Sequence, residues 1–429
     1  MNKIVASVGL VAMSASALQA ASIPGLDDST KPWSVAATLR GFYDDNRATA
    51  PSGSGKVDSW GVEISPSLGI VLPFEGTTVT GSYIYSYKWY DRPLPGGSGH
   101  SDHTHILNGT VDHAFNERYN LSARDSFVVG QEPDVLRTGN AFTSFQHISG
   151  NNFRNDGAIS FRGQITPLIG GEVGYGNEFF DYEDSDGDAV APSFSGLLDR
   201  MEHKIHLDSR WTILPETIGI AGYQFRIANY TGNEEIGGTS DPRLPSVFSR
   251  NRDFREHYFY IGVDQVFTPQ LKASVRFGGR YIDFYNDPTG NGNGWGPYAM
   301  ANVQWTYNPD SYVELGLSHD MNATDVIGGG TNSSFTASQE TTSIYGSINH
   351  RITPKLRASL IGQFQNSEFN GGIFGGSSEQ YFLVGLNLTY KFTPHFSAEA
   401  GYNYDSLESD VAGRTFDRNR VYIGVTGSY

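Results

Sequence analysis

The sequence predicts an all-β fold: a transmembrane antiparallel up-and-down β-barrel of about 18 strands, preceded by a cleaved signal peptide. Three observations carry that expectation. The chain ends on Arg420-Val421-Tyr422-Ile423-Gly424-Val425-Thr426-Gly427-Ser428-Tyr429, with Val421, Ile423, Val425 and Tyr429 on one face and Arg420, Thr426 and Ser428 on the other. A strand turns successive side chains to opposite faces, so one face of this segment suits lipid and the other water. Short turns built on Pro or Asn recur about every 40 to 54 residues. After the N-terminus no stretch approaches the roughly 20 apolar residues of a spanning helix, and a closed barrel is the remaining structure that satisfies every backbone polar group in lipid.

In chain order, Met1-Asn2-Lys3, the apolar run from Ile4 to Met13 and the small residues up to Ala20 have the three regions of a secretory leader. This divides the chain into a signal peptide at 1–20, a short periplasmic segment at 21–32 and a barrel over 33–429. Cysteine is absent, so disulfides and thiolate metal sites play no part. Lys and Arg number 30 against 46 Asp and Glu, a formal charge of −16 that makes nucleic acid an unsuitable partner. The 26 Phe, 24 Tyr and 51 Gly, with modest overall hydrophobicity, suit strands that offer lipid one residue in two.

The short turns are Leu72-Pro73-Phe74, Phe115-Asn116-Glu117, Thr166-Pro167-Leu168, Leu214-Pro215-Glu216, Thr268-Pro269-Gln270, Asn308-Pro309-Asp310, Thr353-Pro354-Lys355 and Thr393-Pro394-His395. Proline cannot donate to a ladder and belongs in such turns. Eight turns separate nine hairpins, which gives eighteen strands with both termini on the short-turn side, the periplasmic side of an outer-membrane barrel.

Alternation runs through the strands. Trp60, Val62, Ile64, Leu68 and Ile70 oppose Gly61, Glu63 and Ser65; Leu271, Ala273, Val275 and Phe277 oppose Lys272, Ser274 and Arg276; Phe382, Val384, Leu386 and Leu388 oppose Asn387, Thr389 and Lys391. Tyr83, Tyr85, Tyr87 and Trp89 crowd one rim, and Trp211, Trp305, Tyr307 and Tyr390 the other, as interfacial girdles do. Asp125 breaks the apolar parity of Tyr119, Leu121, Ala123 and Phe127, which predicts a bulge or a position above the membrane.

Taking the second parity as inward makes Arg40, Glu63, Arg124, Arg162, Glu202, Lys204, Asp208, Arg210, Lys272, Arg276, Arg280, Glu314, Arg357 and Lys391 candidate pore-lining residues. Such charges either pair and stabilise a wet interior or set a transverse field that favours particular solutes. Glu202, Lys204, His206, Asp208 and Arg210 form the densest inward row, which predicts a hydrated wall. The long segments between Gly130 and Gly150 and between Tyr230 and Ser249 could each fold inward and narrow the lumen.

Catalytic signals are thin. No Gly-x-Ser-x-Gly, His-Glu-x-x-His or phosphate-cradling loop occurs, and no cofactor or enzymatic activity is expected. Outward-parity His105, His113, His203, His319 and His350 lack readable serine and acid partners. Asp181 to Asp188 offers hard oxygen ligands but not a complete calcium loop, and His100, Asp102, His103 and His105 lack a fixed further ligand for a transition metal.

The terminal strand resembles the C-terminal insertion signature of bacterial outer-membrane barrels. That resemblance implies an outer-membrane location, lipid as surroundings and engagement of the barrel-assembly machinery through the Tyr429 strand. The opening strand, Ala37 to Asn46, ends in Tyr43-Asp44-Asp45-Asn46 and resembles the putative β-barrel porin family associated with exopolysaccharide gene clusters. Arg47 stands where that pattern expects a more apolar residue. The resemblance implies a conduit for a secreted polysaccharide working with periplasmic and inner-membrane export proteins. A general or solute-selective diffusion porin, and a surface structural or adhesion barrel, stand beside it as alternatives.

Overall fold

The computed structural model describes residues 31–53, 55–93, 99–130, 151–183, 193–237, 246–287, 293–326 and 335–429. The expected signal peptide, the 131–150 part of the first long loop, and residues 184–188 of the acidic loop lie outside them. The barrel strands are β1 (Trp33–Asp44), β2 (Ser59–Phe74), β3 (Thr77–Tyr90), β4 (Ser101–Asn116), β5 (Tyr119–Gly130), β6 (Asn152–Gln164), β7 (Ile169–Tyr182), β8 (Arg200–Leu214) and β9 (Thr217–Tyr230), then β12 (Phe254–Thr268), β13 (Leu271–Asp283), β14 (Gly294–Asn308), β15 (Ser311–Asn322), β16 (Thr336–Arg351), β17 (Leu356–Gly371), β18 (Ser378–Thr393), β19 (Phe396–Ser409) and β20 (Phe416–Ser428). A short helix α1 (Phe194–Leu198) and a small hairpin of β10 (Glu235–Gly237) and β11 (Val247–Phe248) sit in the long-loop end.

These eighteen strands form one antiparallel sheet in which β9 pairs with β12 and β20 returns to β1, closing the barrel. All eight predicted turns connect neighbouring strands at one end. The long connections lie at the other, so the short-turn end is periplasmic. Trp60, Val62, Ile64, Leu107, Val173, Leu207, Phe259, Ile261, Phe277 and Ile423 are exposed, while Glu63, Arg210, Glu256, Arg276 and Arg280 on the other parity are buried. The apolar belt is therefore outside and the charges are inside.

Two prolines depart from the expectation that proline stays in turns. Pro66 lies within β2, where the ladder to β3 steps from Ile64 to Ser67. The Ser65 hydroxyl donates to the Tyr85 carbonyl at 2.9 Å there, next to a residue that has no N–H to offer. Pro297 lies in β14 beyond the pairing with β15, which begins at Ala299, so its missing N–H interrupts no bond to that neighbour.

Asp125 also departs from expectation. Its pairings with Gly109 on β4 and Gly157 on β6 run without a register shift. There is no bulge, and Phe127 and Val129 continue the outward face toward the extracellular end. A carboxyl stands within the apolar belt.

The Tyr43-Asp44-Asp45-Asn46 segment has a structural role at the seam. Asp45 accepts the Asn419 backbone N–H and side-chain amide, both at 2.7 Å. Asn46 donates to the carbonyls of Ala50 and Asp417 at 3.1 and 3.0 Å and accepts the Ala50 N–H at 2.8 Å. The motif thus latches the extracellular end of the joint between the first and last strands. Arg47 is accommodated because its guanidinium lies 3.6 Å from the Tyr90 ring centroid and donates to the Arg92 carbonyl at 2.6 Å. Asn46→Ala leaves these carbonyls without their amide donors and is expected to lower the unfolding free energy by about 1–3 kcal/mol, read by urea titration of the refolded barrel in lipid vesicles.

Candidate functional site

The inward charges converge because the closed sheet directs alternate residues of every strand into one lumen. On the β1 side, Arg40 donates to Glu63 at 2.6 Å and to Glu399 at 2.7 and 3.0 Å, and Ser86 donates to the second Glu63 oxygen. A longer chain of alternating charge runs from β6 to β13. Arg162 donates to Glu172 at 2.7 Å, Glu172 lies 3.6 Å from Arg210, Arg210 donates to Asp264 at 2.8 Å, and Arg276 donates to the other Asp264 oxygen at 2.7 Å. The Arg210 to Asp264 link passes over β9 on the lumen side.

Nearer the extracellular end a second tier forms. Arg200 donates to Glu202 at 2.8 Å, Arg226 pairs with Glu256, and Arg280 stands 3.4 to 3.8 Å from Glu340, Asp320 and Glu256. The Tyr258 hydroxyl donates to Glu256 at 2.7 Å and to Asp320 at 3.0 Å, joining β12 to β15. Arg226 reaches the Met321 carbonyl at 3.0 Å, joining β9 to β15 across the interior. Such spans narrow this half of the lumen.

Each candidate from the sequence can be placed. Arg124 lies 3.2 Å from Asp156, and Lys204 donates to Glu178 at 2.6 Å. Asp208 accepts the Tyr260 hydroxyl at 2.6 Å, and Glu314 accepts the Asn302 amide at 3.2 Å. The expected hydrated row on β8 is uneven: the side chains of Arg200 and Glu202 are nearly closed off, while that of Lys204 keeps about a quarter of its surface open. Lys272, Arg357 and Lys391 stand apart at the periplasmic ends of β13, β17 and β18, half-buried. Among the described residues Lys272 and Arg357 show no ion pair. The neighbouring sector bears Asn302, Ser359, Gln363 and Asn387 inward beside Glu314 and Asp320, so the charged wall on β6 to β13 adjoins a sector on β14 to β18 that is richer in amides.

Aromatic rings lie flat on the inner wall where a neighbouring strand supplies glycine. A Cβ added at Gly222 would stand 2.2 Å from the Tyr260 ring, and one at Gly401 would stand 2.2 Å from Tyr422. Gly222→Leu is expected to lift Tyr260 off the wall, break its bond to Asp208 and reduce single-channel conductance by roughly half or more, because pore width controls conduction.

The sequence reading allows an inward-folded Tyr230 to Ser249 loop but names none of the residues that build the extracellular closure. Leu197, Leu198, Ile236 and Val247 from α1 and the β10–β11 hairpin pack with inward Ala228, Phe254 and Ile282 into one apolar core. Arg252, fully buried, donates to the carbonyls of Leu197, Thr324, Val326 and Thr336, each at 2.9 Å. On the other side Arg414 binds both Asp325 oxygens at 2.9 and 3.0 Å. The segment Thr324 to Val326 is thus held by two arginines. The described parts of the Tyr230 to Ser249 loop fold inward; residues 238–245 lie outside the described residues. Nothing periodic marks Arg252, which ends the 3-10 turn Ser249–Arg252, whereas Arg226 and Glu256 share the inward parity of their strands and are open to the same reading as the candidates.

The outward histidines are engaged with hydroxyls: Tyr83 with His105 at 2.9 Å, Thr77 with His113 at 2.7 Å, Tyr175 with His203 at 2.8 Å, His319 with Thr342 at 2.8 Å and Tyr307 with His350 at 2.7 Å. Among the described residues no three His, Asp or Glu side chains gather to hold a metal; His100, Asp102, His103 and His105 bond separately to Tyr90, Arg47, Tyr85 and Tyr83. A shallow groove of about 1050 Å³ lies on the membrane face over β5 to β13, outside the lumen.

A closed barrel with an apolar outer belt, aromatic rims and a charged interior is an outer-membrane β-barrel. Residues 244–429 match the family described as putative beta-barrel porin 2, in agreement with the resemblance of the opening strand, which itself lies before the matched residues. Solved structures of similar shape include the outer membrane protein opdK from Pseudomonas aeruginosa (12% identity, 92% of this chain and 99% of that one, TM-score 0.44) and OccAB4 from Acinetobacter baumannii (12% identity, 93% and 99%, TM-score 0.44). A BenF-like porin from Pseudomonas fluorescens Pf-5 is similar as well (12% identity, 93% and 99%, TM-score 0.45). No curated protein matches the sequence at a significant level.

Proposed function

We propose that this porin-type barrel is a solute-selective diffusion channel for small polar molecules and not an enzyme. The observation that carries this is the set of side-chain bonds between strands that are not neighbours, above all Arg226 to the Met321 carbonyl and Tyr258 to Asp320. They constrict the lumen beneath an extracellular roof, and a constriction lined by fixed charges selects by size and charge. The charged wall and the amide-richer sector beside it give a passing solute ionic contacts together with neutral hydrogen-bonding partners.

The polysaccharide conduit implied by the family resemblance requires a lumen that passes a hydrated polymer, and it also needs export proteins as partners. The bonds across the lumen favour the small-solute reading. Swelling of proteoliposomes in isotonic sugars and amino acids tests it: entry of monosaccharide-sized solutes with exclusion of oligosaccharides is the expected result. Equal entry of long oligosaccharides would return the conduit to first place.

A further inference from the structure

The wall carries a polar row on its membrane face. Asn177 donates to Asn155 at 3.1 Å, and Asn155 donates to Asp125 at 2.9 Å. Gly157 makes room for this chain, since a Cβ there would stand 2.7 Å from the Asn177 amide oxygen and 3.0 Å from the Asp125 carboxyl. Directly above, Phe127 meets Phe153 edge-on at 4.5 Å and Phe153 meets Phe179 at 5.6 Å, an aromatic roof on the extracellular side. From Tyr119 at the periplasmic end of β5 to Asp125, the strand rise of ~3.3 Å per residue and a tilt of about 40° give a height of roughly 15 Å in an apolar band ~25 Å tall. Asp125 therefore lies inside the apolar band, and by the same reckoning Asn177 and Asn155 lie at roughly 20 and 23 Å, in its extracellular part.

Lipid chains offer no hydrogen bonds, and polar groups at this depth belong against protein or water. Periplasmic to the row lies the outer groove, whose floor shares β6 and β7 with it: Gly163, Gly171, Ser209 and Ala221 are direct register partners on β6 to β9. Concavity and polarity thus coincide on one face. Asn155 and Asn177 bring amide N–H groups and Asp125 brings carboxylate oxygens, so the row carries donors as well as acceptors and is self-complementary. Copies of one chain insert in the same sense and meet at equal depth, which rotational symmetry about the membrane normal requires.

We propose that the β4 to β8 face is a subunit contact at which a second copy of this chain covers Asp125, Asn155 and Asn177 within the bilayer. The contact is independent of what the lumen carries. Because the chain has no cysteine, single thiols report on it cleanly. Gly109→Cys places a thiol beside Asp125, where an added Cβ meets only the Thr80 carbonyl at 3.9 Å; Ile344→Cys places one on β16, on the far side of the barrel.

Full-length protein in native outer membranes is treated with a short bis-maleimide. Expected is a product of two-copy mass from Gly109→Cys and none from Ile344→Cys, with at least tenfold less of it when Asp125→Leu is added. Asp125→Leu removes a polar group from the membrane face and leaves the barrel free to fold, which heat-modifiable mobility on gels verifies. Absence of the Gly109→Cys product, a product of another mass, equal reaction at Ile344→Cys, or no effect of Asp125→Leu would each overturn the contact.

Discussion

Replacing Arg252 with Ala is expected to open the extracellular mouth and raise single-channel conductance several-fold. Its guanidinium is the common donor for carbonyls contributed by α1, by two points in the β15–β16 connection and by the first residue of β16. Without it, four acceptors lose their charged partner in a dry environment, a local loss on the order of 3–5 kcal/mol. That matches what about two of the four buried side chains Leu197, Leu198, Ile236 and Val247 contribute, at about 1.5–3 kcal/mol each, so the roof loses a large share of its attachment. The roof should therefore come away while the eighteen-stranded ladder persists, because no ladder hydrogen bond depends on Arg252. Planar-bilayer recording reads the conductance, and limited proteolysis from the outside reads release of the roof. Lysine at 252 presents only three donors from one nitrogen and cannot reproduce a fork that holds four carbonyls, so Arg252→Lys should give an intermediate conductance. Unchanged conductance with accelerated proteolysis would mean that the roof does not limit the current.

The contrast between that arginine and the wall shows what a sequence displays. Period-two alternation is local, and a charge on β13 such as Arg276 reveals its face through Val275 and Phe277 beside it. Proline turns likewise declare themselves because a residue without an N–H is poorly placed in a ladder. Partners are another matter. Asp264 binds arginines on β8 and β13, and Tyr258 reaches Asp320 three barrel strands away, contacts set by register and barrel curvature that no short window contains. Asp125 shows the limit from the other side: its break in parity is visible, but whether it marks a bulge, a position above the bilayer or a membrane-facing polar row depends on residues of β6 and β7. The opening Tyr43-Asp44-Asp45-Asn46 motif was legible as a pattern, while its work as a latch required Asn419 and Asp417 from the opposite end of the chain.

Neutralising Asp264 should have the largest effect on selectivity. In the chain Arg162, Glu172, Arg210, Asp264 and Arg276, two carboxylates stand among three guanidiniums, and Asp264 serves two of the three. Asp264→Asn leaves three cations against one anion along a single stretch of wall, so the chloride-to-potassium permeability ratio from the reversal potential in a KCl gradient should rise several-fold. Arg276→Ala should move the ratio the opposite way, and the double variant should return near the parent, since the local charge balance is restored. The shift should fade as salt rises from 0.1 M toward 1 M, where the screening length falls from about 10 Å to about 3 Å. Stability should fall too, by no more than about 3–5 kcal/mol, because lumen water can solvate part of the charge exposed by the substitution. If these groups only brace the wall, urea midpoints will drop while the reversal potential stays fixed. If they also form the selective surface, the reversal potential will move in step with the charge balance even in the double variant, whose altered packing leaves stability below that of the parent.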